Sequence, residues 1–243
     1  MASETDEIKE QCLLGSQFLW QELRDVWGHV TCRLPGGDGF ALKMVRVGED
    51  PNEVRVYDYD GEQLSGRSGR VGEITIYTEI FRKRPEVTSI VHAHPHVATA
   101  LSTAGKTVFA ITHQSAPFED GLPVFRGNFI DSVEIGKELA TEMGTHRAIL
   151  MKGHGVVTVG GDVPTAVATC LLVEQAAKQQ IMAATLGTPE LLPKELRDYR
   201  WGGGNQPGVI DGSRGGGAFL WRQLVWERET GRTPRMPDLP LPM

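Results

Sequence analysis

The sequence predicts a mixed α/β sandwich with a largely antiparallel sheet. The order of its elements indicates this class, because strand-like segments come in neighbouring groups and helix-like segments separate the groups. Regular β-α-β winding would instead alternate single strands with helices. The 243 residues are enough to bury one sizeable core, and no internal repeat is visible.

The first half of the chain begins with an amphipathic helix over residues 8–27, where Cys12, Leu19 and Leu23 recur at helical spacing. Glycine and proline turns then separate three short strands within residues 28–35, 39–47 and 52–61. The following pattern predicts a helix over residues 72–85, a strand over 87–94, a short helix over 97–105 and a strand over 107–112.

The second half continues with a helix over residues 131–144 and paired strands within residues 147–160. The longest helix is predicted over residues 163–187, because Pro164 suits its first turn. Residues 200–217 contain eight glycines, which favours a surface loop or a lid, and residues 218–231 resume a helical pattern. We therefore expect one main domain over residues 1–191 and a Gly/Pro-rich extension over residues 192–243 that forms a lid or a subunit contact.

Composition excludes several classes of protein. The 25 Lys and Arg residues against 31 Asp and Glu residues give a net charge of −6, which argues against nucleic acid as a partner. No apolar run approaches the roughly 18 residues of a membrane span, so no membrane partner is expected. The polar, acidic start is neither a signal nor a transit peptide, so we expect a cytoplasmic protein. The three cysteines form no CxxC pair and are interpreted as core residues.

The segment SIVHAHPHVATA, residues 89–100, carries a histidine at every second position of an apolar run. Alternate side chains of a strand share a face, so His92 and His94 are expected to point the same way. Neutral imidazoles suit zinc, iron, cobalt, nickel or copper, although histidines on a strand are also found simply hydrogen-bonded. His154 is the favoured third ligand, because the glycines of KGHGVV would expose its ring, and His96 and His113 compete with it.

Glu73 begins the helix predicted over residues 72–85. It precedes Tyr77, Ile80 and Phe81 by four, seven and eight residues, so it should face inward with them. An acid in the first helical turn is also favoured simply by the helix dipole. Beside a metal ion, however, Glu73 becomes a candidate general acid/base.

With these residues identified, the sequence resembles the class II aldolase/adducin family, whose enzymes include L-fuculose-phosphate aldolase and L-ribulose-phosphate epimerase. The resemblance covers roughly residues 8–186 and rests on GHVTCR, RPEVTSIVHAHP, KGHGVV and GGDVPTAVATCLLVEQAAKQ. It implies a three-layer α/β/α sandwich and a symmetric homotetramer with sites at subunit interfaces. It also implies that His92, His94 and His154 bind one divalent ion per subunit (zinc, manganese, cobalt or iron), with Glu73 as acid/base.

The sequence departs from the sugar-phosphate aldolases of this family where those enzymes hold phosphate. His29 stands in place of the early Asn, and Val71 and Gly72 replace a pair of serines before the glutamate. The segment GHVTCR is more similar to branches that act on non-phosphorylated acids, including hydroxyphthalate-type decarboxylases and a few iron oxygenases.

These observations together predict a metal-dependent carbon–carbon lyase for a small-molecule acid, foremost a decarboxylase of a hydroxylated aromatic, catechol-type or related acid. Glu73 or Tyr77 would deliver a proton to carbon. The cations for a substrate carboxylate would come from four residues that could equally be solvated surface groups: His29, Arg33, Lys43 and Arg70. An aldolase for a non-phosphorylated hydroxy-oxo acid and a non-catalytic, adducin-like oligomeric module remain the alternatives.

Overall fold

The computed structural model describes residues 3–45, 52–67, 71–127, 129–197 and 216–231. In these residues the helices are α1 (Glu4–Leu23), α2 (Ile74–Lys83), α3 (His96–Thr103), α4 (Val133–Met143), α5 (Val163–Leu186), α6 (Lys194–Arg197) and α7 (Gly216–Thr230). The strands are β1 (His29–Arg33), β2 (Phe40–Met44), β3 (Arg55–Tyr57), β4 (Gln63–Ser65), β5 (Ser89–Ala93), β6 (Val124–Phe125), β7 (Ala148–Met151) and β8 (Gly155–Gly160). A 3-10 helix spans His113–Phe118.

The strands form one eight-stranded sheet in the order β4-β3-β2-β1-β5-β8-β7-β6. All neighbouring strands are antiparallel except β6 and β7, which are parallel. The predicted α/β class with a largely antiparallel sheet is therefore confirmed.

Buried apolar side chains form two clusters, one on each face of the sheet. Helices α1, α3, α5 and α7 contribute to the first cluster, and α2 and α4 contribute to the second. Successive strand residues alternate between the clusters, as Ile90 and Val91 of β5 do, because neighbouring side chains of a strand point to opposite faces. This alternation places His92 on the face covered by α2.

Helix α1 ends four residues before the end predicted from its periodicity. Its start is fixed by a capping box in which Ser3 and Asp6 exchange hydrogen bonds with each other's backbone N–H groups. Its end is fixed by Arg24, which adopts a left-handed conformation with φ of 56°. The chain therefore turns before Asp25, and the residues that follow enter β1 instead of extending the helix.

The strand predicted over residues 107–112 is absent, and this prediction is wrong. The backbone there bonds to a side chain and to a loop instead of a strand: the Gln180 amide donates to Thr107 O at 2.9 Å and accepts from Phe109 N at 3.2 Å, and Leu122 N donates to Val108 O at 2.9 Å. A short parallel strand, β6, occupies the edge of the sheet beside β7 instead. The sequence pattern also missed β4, which pairs with β3 across a register shift.

The helix predicted over residues 218–231 is present as α7 and packs on the first cluster. Leu224 is buried there, and the Trp221 ring meets the Phe18 ring edge-on with centroids 5.0 Å apart. The glycine-rich segment predicted over residues 200–217 lies outside the described residues except for its last two. Among the described helices, none combines the length and the apolar character that crossing a bilayer requires.

Candidate metal centre and active site

Three histidines meet beside the C-terminal end of the central strand β5. His92 lies on β5, His94 follows the end of β5, and His154 lies in the turn that joins β7 to β8. Because β5 and β8 are hydrogen-bonded neighbours, this turn is brought beside the end of β5. One ring nitrogen from each histidine can be chosen so that all three lie within 4.8 Å of one another. His96 and His113 are not members of this group.

Hydrogen bonds fix the protonated nitrogen of two of these rings. His92 Nδ1 lies 3.0 Å from Val156 O, and His94 Nδ1 lies 3.2 Å from Asp25 Oδ2. A carbonyl and a carboxylate only accept hydrogen bonds, so each Nδ1 carries the proton and each Nε2 keeps its lone pair. This is the tautomer that a metal-binding histidine needs when its second nitrogen is held by the protein.

Glu73 lies against two of the three histidines. Its Oε2 is 3.2 Å from His92 Nε2, and its Oε1 is 3.5 Å from His154 Nε2. Although Glu73 occupies the N-cap position of α2, its side chain makes no capping hydrogen bond. Among the described residues, neither His92 Nε2 nor Glu73 Oε1 has a well-directed hydrogen-bond partner. Buried polar atoms are normally paired, so these two indicate a site built for a further group.

The donor set fits a divalent transition metal. Among the residues that the structure describes, the group consists of three imidazole nitrogens, and a set of three protein ligands with an open position is typical of a catalytic site. Burial lowers the pKa of His154 to about 4, with a further lowering from the charge on His92, so its ring is neutral near pH 7. Burial alone raises the pKa of Glu73, but the contact with His92 and the nearby histidine charges outweigh it, so the pKa is lowered.

His29 and Tyr77 form a buried pair next to the three histidines. The Tyr77 hydroxyl lies 2.8 Å from His29 Nδ1, and the His29 ring lies 6.2 Å from the His92 ring between centroids. Burial lowers the pKa of His29 to about 3, helped by the charge on His92, and burial raises the pKa of Tyr77 well above its usual value. Both side chains are therefore uncharged near neutral pH.

The other predicted substrate cations are not brought to this group. Arg33 lies at the opposite end of β1 from His29, about 13 Å along the strand at roughly 3.3 Å per residue. Its guanidinium donates to Phe81 O at 2.6 Å and to Val87 O at 2.7 Å, so it joins β1 to the end of α2. The prediction that Arg33 binds substrate is therefore corrected to a structural role.

Lys43 is directed to the other face of the sheet. It pairs with Val30 across β1 and β2, and Val30 belongs to the first cluster, whereas His29 faces α2. Its Nζ donates to Met44 O at 2.9 Å, and the side chain is buried. Register therefore places Lys43 away from the three histidines, contrary to its predicted role. Arg70, the last of the four, lies outside the described residues.

Sequence reasoning missed Asp25, which lay inside the helix predicted over residues 8–27. Its carboxylate is buried and accepts hydrogen bonds from the backbone of Trp27 and His94, at 2.9 and 2.8 Å. Burial alone raises the pKa of Asp25, but the interactions with His94 and with the backbone N–H groups lower it to about 2. An Asp shortly before Gly28 at the end of a helical pattern is a turn signal that could have identified it.

Two exposed aromatic rings, also missed, flank the histidines. Phe129 is 54% exposed and stacks on His154 with an interplanar angle of 12° and centroids 5.9 Å apart. Trp27 is 65% exposed and meets His94 edge-on at 6.4 Å. Single exposed apolar side chains are normal on a protein surface, but these two rings lie directly against His154 and His94, so both are candidates for contact with a ligand.

Comparisons with known proteins found matches to a family model and to curated relatives. The family model described as "Class II Aldolase and Adducin N-terminal domain" matches residues 17–181. "Decarboxylase NovR" of Streptomyces niveus is 30% identical over 146 residues, which cover 59% of this chain and 54% of that protein. "3,4-dihydroxyphthalate decarboxylase" of Arthrobacter keyseri is 28% identical over 172 residues, covering 65% and 66%. The chain thus spans about half to two thirds of the length of these curated relatives.

The solved structures support the fold. "L-fuculose 1-phosphate aldolase from Glaciozyma antarctica PI12" superposes with a TM-score of 0.76 and 22% identity, covering 95% of this chain and 94% of that chain. "Crystal structure of aldolase II superfamily protein from Pseudomonas syringae" superposes with a TM-score of 0.75 and 20% identity, covering 95% of each chain. At this level of identity the likeness concerns the fold alone.

Proposed function

The chain belongs to the class II aldolase and adducin family, and from this premise we propose that it is a divalent-metal-dependent lyase that decarboxylates a hydroxylated aromatic acid. The observation that supports it most directly is the meeting of His92, His94 and His154 with the Glu73 carboxylate against two of them. The names of the relatives, which include several 3,4-dihydroxyphthalate decarboxylases, support the substrate class.

His92, His94 and His154 would hold the ion. When bound, it would polarise neighbouring oxygens of the substrate and offset the negative charge that develops as the carbon–carbon bond breaks. The three imidazoles do not by themselves select one metal, because zinc, manganese, cobalt and iron can all accept histidine ligands and differ only in affinity. Metal analysis of the purified protein decides among them.

Glu73 would deliver the proton that replaces the departing carboxyl group. Glu73, whose lowered pKa leaves it ionised near neutral pH, would first take the proton of a substrate hydroxyl. The bond to carbon dioxide then breaks, its electron pair stays on the ring carbon, and Glu73 transfers the proton to that carbon. The substrate oxygen then regains a proton from water. The Tyr77 hydroxyl is fully buried against His29, so we assign Tyr77 to holding the His29 ring and Glu73 to direct proton transfer.

The aromatic part of the substrate would lie against Phe129 and Trp27. Both rings are exposed and adjacent to ligand histidines, and a flat aromatic ring stacks favourably on such surfaces. Of the three predicted substrate cations that the structure describes, His29 alone lies beside the histidines, and its neutral ring would contact the substrate by hydrogen bonding. A sugar phosphate has no flat aromatic ring to stack on Phe129 and Trp27, so these two side chains would contribute less to its binding.

The proposal includes the architecture and the assembly. We propose that α1, α3, α5 and α7 form one outer layer and α2 and α4 the other, which gives a three-layer sandwich. We also propose a cytoplasmic homotetramer in which residues 192–243 cover the site or contact a neighbouring subunit. Exposed Phe219 and Trp226 on α7 are consistent with such a contact.

A metal assay combined with a substrate screen tests the proposal. Protein purified without added metal should contain one divalent ion per chain, release carbon dioxide from 3,4-dihydroxyphthalate or another catechol carboxylate, and lose this activity on chelation. Release of an aldehyde from a hydroxy-oxo acid would favour an aldolase, and incorporation of dioxygen would favour an oxygenase. Absence of both metal and turnover would favour a non-catalytic module.

A further inference from the structure

Asp25 makes two separate sets of contacts from a fully buried side chain. Its Oδ1 accepts the backbone N–H of Trp27 at 2.9 Å and of Gly28 at 3.2 Å, within its own turn. Its Oδ2 accepts the backbone N–H of His94 at 2.8 Å, and the His94 ring nitrogen Nδ1 lies 3.2 Å from Oδ2 and 3.3 Å from Oδ1. The carboxylate therefore joins the turn after α1 to the end of β5, which is distant in sequence.

We propose that Asp25 is a positioning residue for the metal centre, whose carboxylate holds His94 as the Nδ1–H tautomer with Nε2 directed at the ion. The inference rests on the proposed function, because the metal centre that Asp25 would position is the one at which the proposed decarboxylation would occur. In known metal sites a carboxylate behind a ligand histidine orients the ring and raises its basicity.

The second set of contacts is more than a local turn requires. A turn of this kind needs only one side-chain oxygen to accept backbone N–H groups two and three residues later, and Oδ1 does this. In addition, Oδ2 accepts the backbone N–H of His94, and both oxygens lie within 3.3 Å of the His94 ring nitrogen Nδ1. A buried carboxylate is costly unless several donors surround it, and the contacts to Trp27, Gly28 and His94 supply those donors.

Gly28 provides the space for this carboxylate. A Cβ atom at position 28 would lie 2.7 Å from Asp25 Oδ2 and 3.0 Å from His92 O, closer than side chains approach. The Asp25 carboxylate can therefore reach His94 in this turn only if residue 28 lacks a side chain. The neighbouring ligand His92 differs, since an uncharged backbone carbonyl, Val156 O, holds its Nδ1.

The substitution Asp25→Asn tests the inference. The amide keeps the size of the side chain and one acceptor oxygen, but places N–H donors where the two N–H groups of His94 point. We expect metal affinity, measured by competition with a chromophoric chelator, to fall by about 10- to 100-fold. The absorption spectrum of the cobalt-substituted protein should also change, because one ligand ring is no longer held in place.

Asp162→Asn is the matched control. Asp162 caps α5 by accepting the Thr165 N–H at 2.7 Å, and Asn can keep that bond, so metal affinity and the cobalt spectrum should equal those of the wild type. Asp25→Asn protein with wild-type affinity and spectrum would overturn the inference while leaving the proposed reaction intact. Wild-type protein that binds metal but decarboxylates no aromatic acid would overturn the reaction and leave Asp25 in its role.

A measurement on the wild type applies even if the Asp25→Asn chain does not fold. Nitrogen-15 shifts of labelled histidines in the metal-free protein report which ring nitrogen carries the proton. The inference expects His94 as the Nδ1–H tautomer, with that proton in a hydrogen bond to a carboxylate. A His94 ring protonated at Nε2 alone would overturn it.

Discussion

Replacing Glu73 by Gln separates proton transfer from every structural role of this side chain. The amide has the same shape, so the contacts near 3.2 and 3.5 Å to His92 and His154 remain sterically possible, while the ionisable group is lost. If Glu73 delivers the proton, turnover should fall by about 10²- to 10⁴-fold. At about 1.36 kcal/mol per factor of ten, this raises the barrier by roughly 2.7–5.4 kcal/mol.

The competing explanation for Glu73 predicts a much smaller effect. Its side chain makes no capping hydrogen bond, so its structural contribution would be a charge at the start of α2, worth about 0.3–1 kcal/mol of stability. Glu79→Gln is the matched control, since Glu79 is a buried acid on the same helix whose partner is Arg82. We expect Glu79→Gln to lower stability and leave turnover per folded molecule unchanged.

The assay is steady-state turnover of the metal-loaded variants, with metal content and thermal unfolding measured in parallel. Glu73→Gln protein that keeps its metal and retains more than about a tenth of wild-type turnover would refute the assignment, because loss of a positioned acid/base costs at least a hundredfold. Loss of turnover that merely follows loss of metal would instead assign Glu73 to metal retention.

The remaining predictions concern the ligands, the turn before β1, the aromatic rings and the assembly. His94→Ala should remove most of the bound metal, and metal analysis showing full retention would exclude the three-histidine site. Gly28→Ala should lower the free energy of unfolding by about 1–3 kcal/mol, since its Cβ would lie 2.7 Å from Asp25 Oδ2, and denaturant titration measures this. Phe129→Ala should raise KM for an aromatic acid with metal affinity unchanged, whereas an unaltered KM would remove Phe129 from substrate binding. Light scattering should return the mass of a tetramer, and a monomer mass would exclude the proposed assembly.

Local spacing and the family resemblance together predicted the residues at the centre of the candidate site. The two-residue spacing of His92 and His94 placed both at the end of one strand, and the glycines around His154 marked an exposed turn. The spacing from Glu73 to Tyr77 put both on the buried side of α2, where the structure has them. These features depend on the repeat of a strand or a helix, which can be read without knowing the fold.

Features that depend on tertiary partners could not be predicted in this way. Arg33 looked like a free cation, but carbonyls of α2 and of the loop after it, distant in sequence, accept its hydrogen bonds. The orientation of Lys43 follows from its register opposite Val30, which no local pattern shows. Asp25 was hidden inside a helical pattern, because the left-handed turn at Arg24 is a property of the folded chain. The strand expected over residues 107–112 is absent for the same reason, since the Gln180 side chain and the backbone of a loop, not a neighbouring strand, bond to this segment.

The most direct test of the central claim is decarboxylation of 3,4-dihydroxyphthalate in deuterium oxide by the metal-loaded protein, followed by mass and NMR analysis of the product. We predict release of carbon dioxide with one deuterium at the vacated ring carbon, abolished by a chelator and restored by a divalent ion. Absence of carbon dioxide from this and other catechol carboxylates, with an aldehyde formed from a hydroxy-oxo acid under the same conditions, would contradict the account.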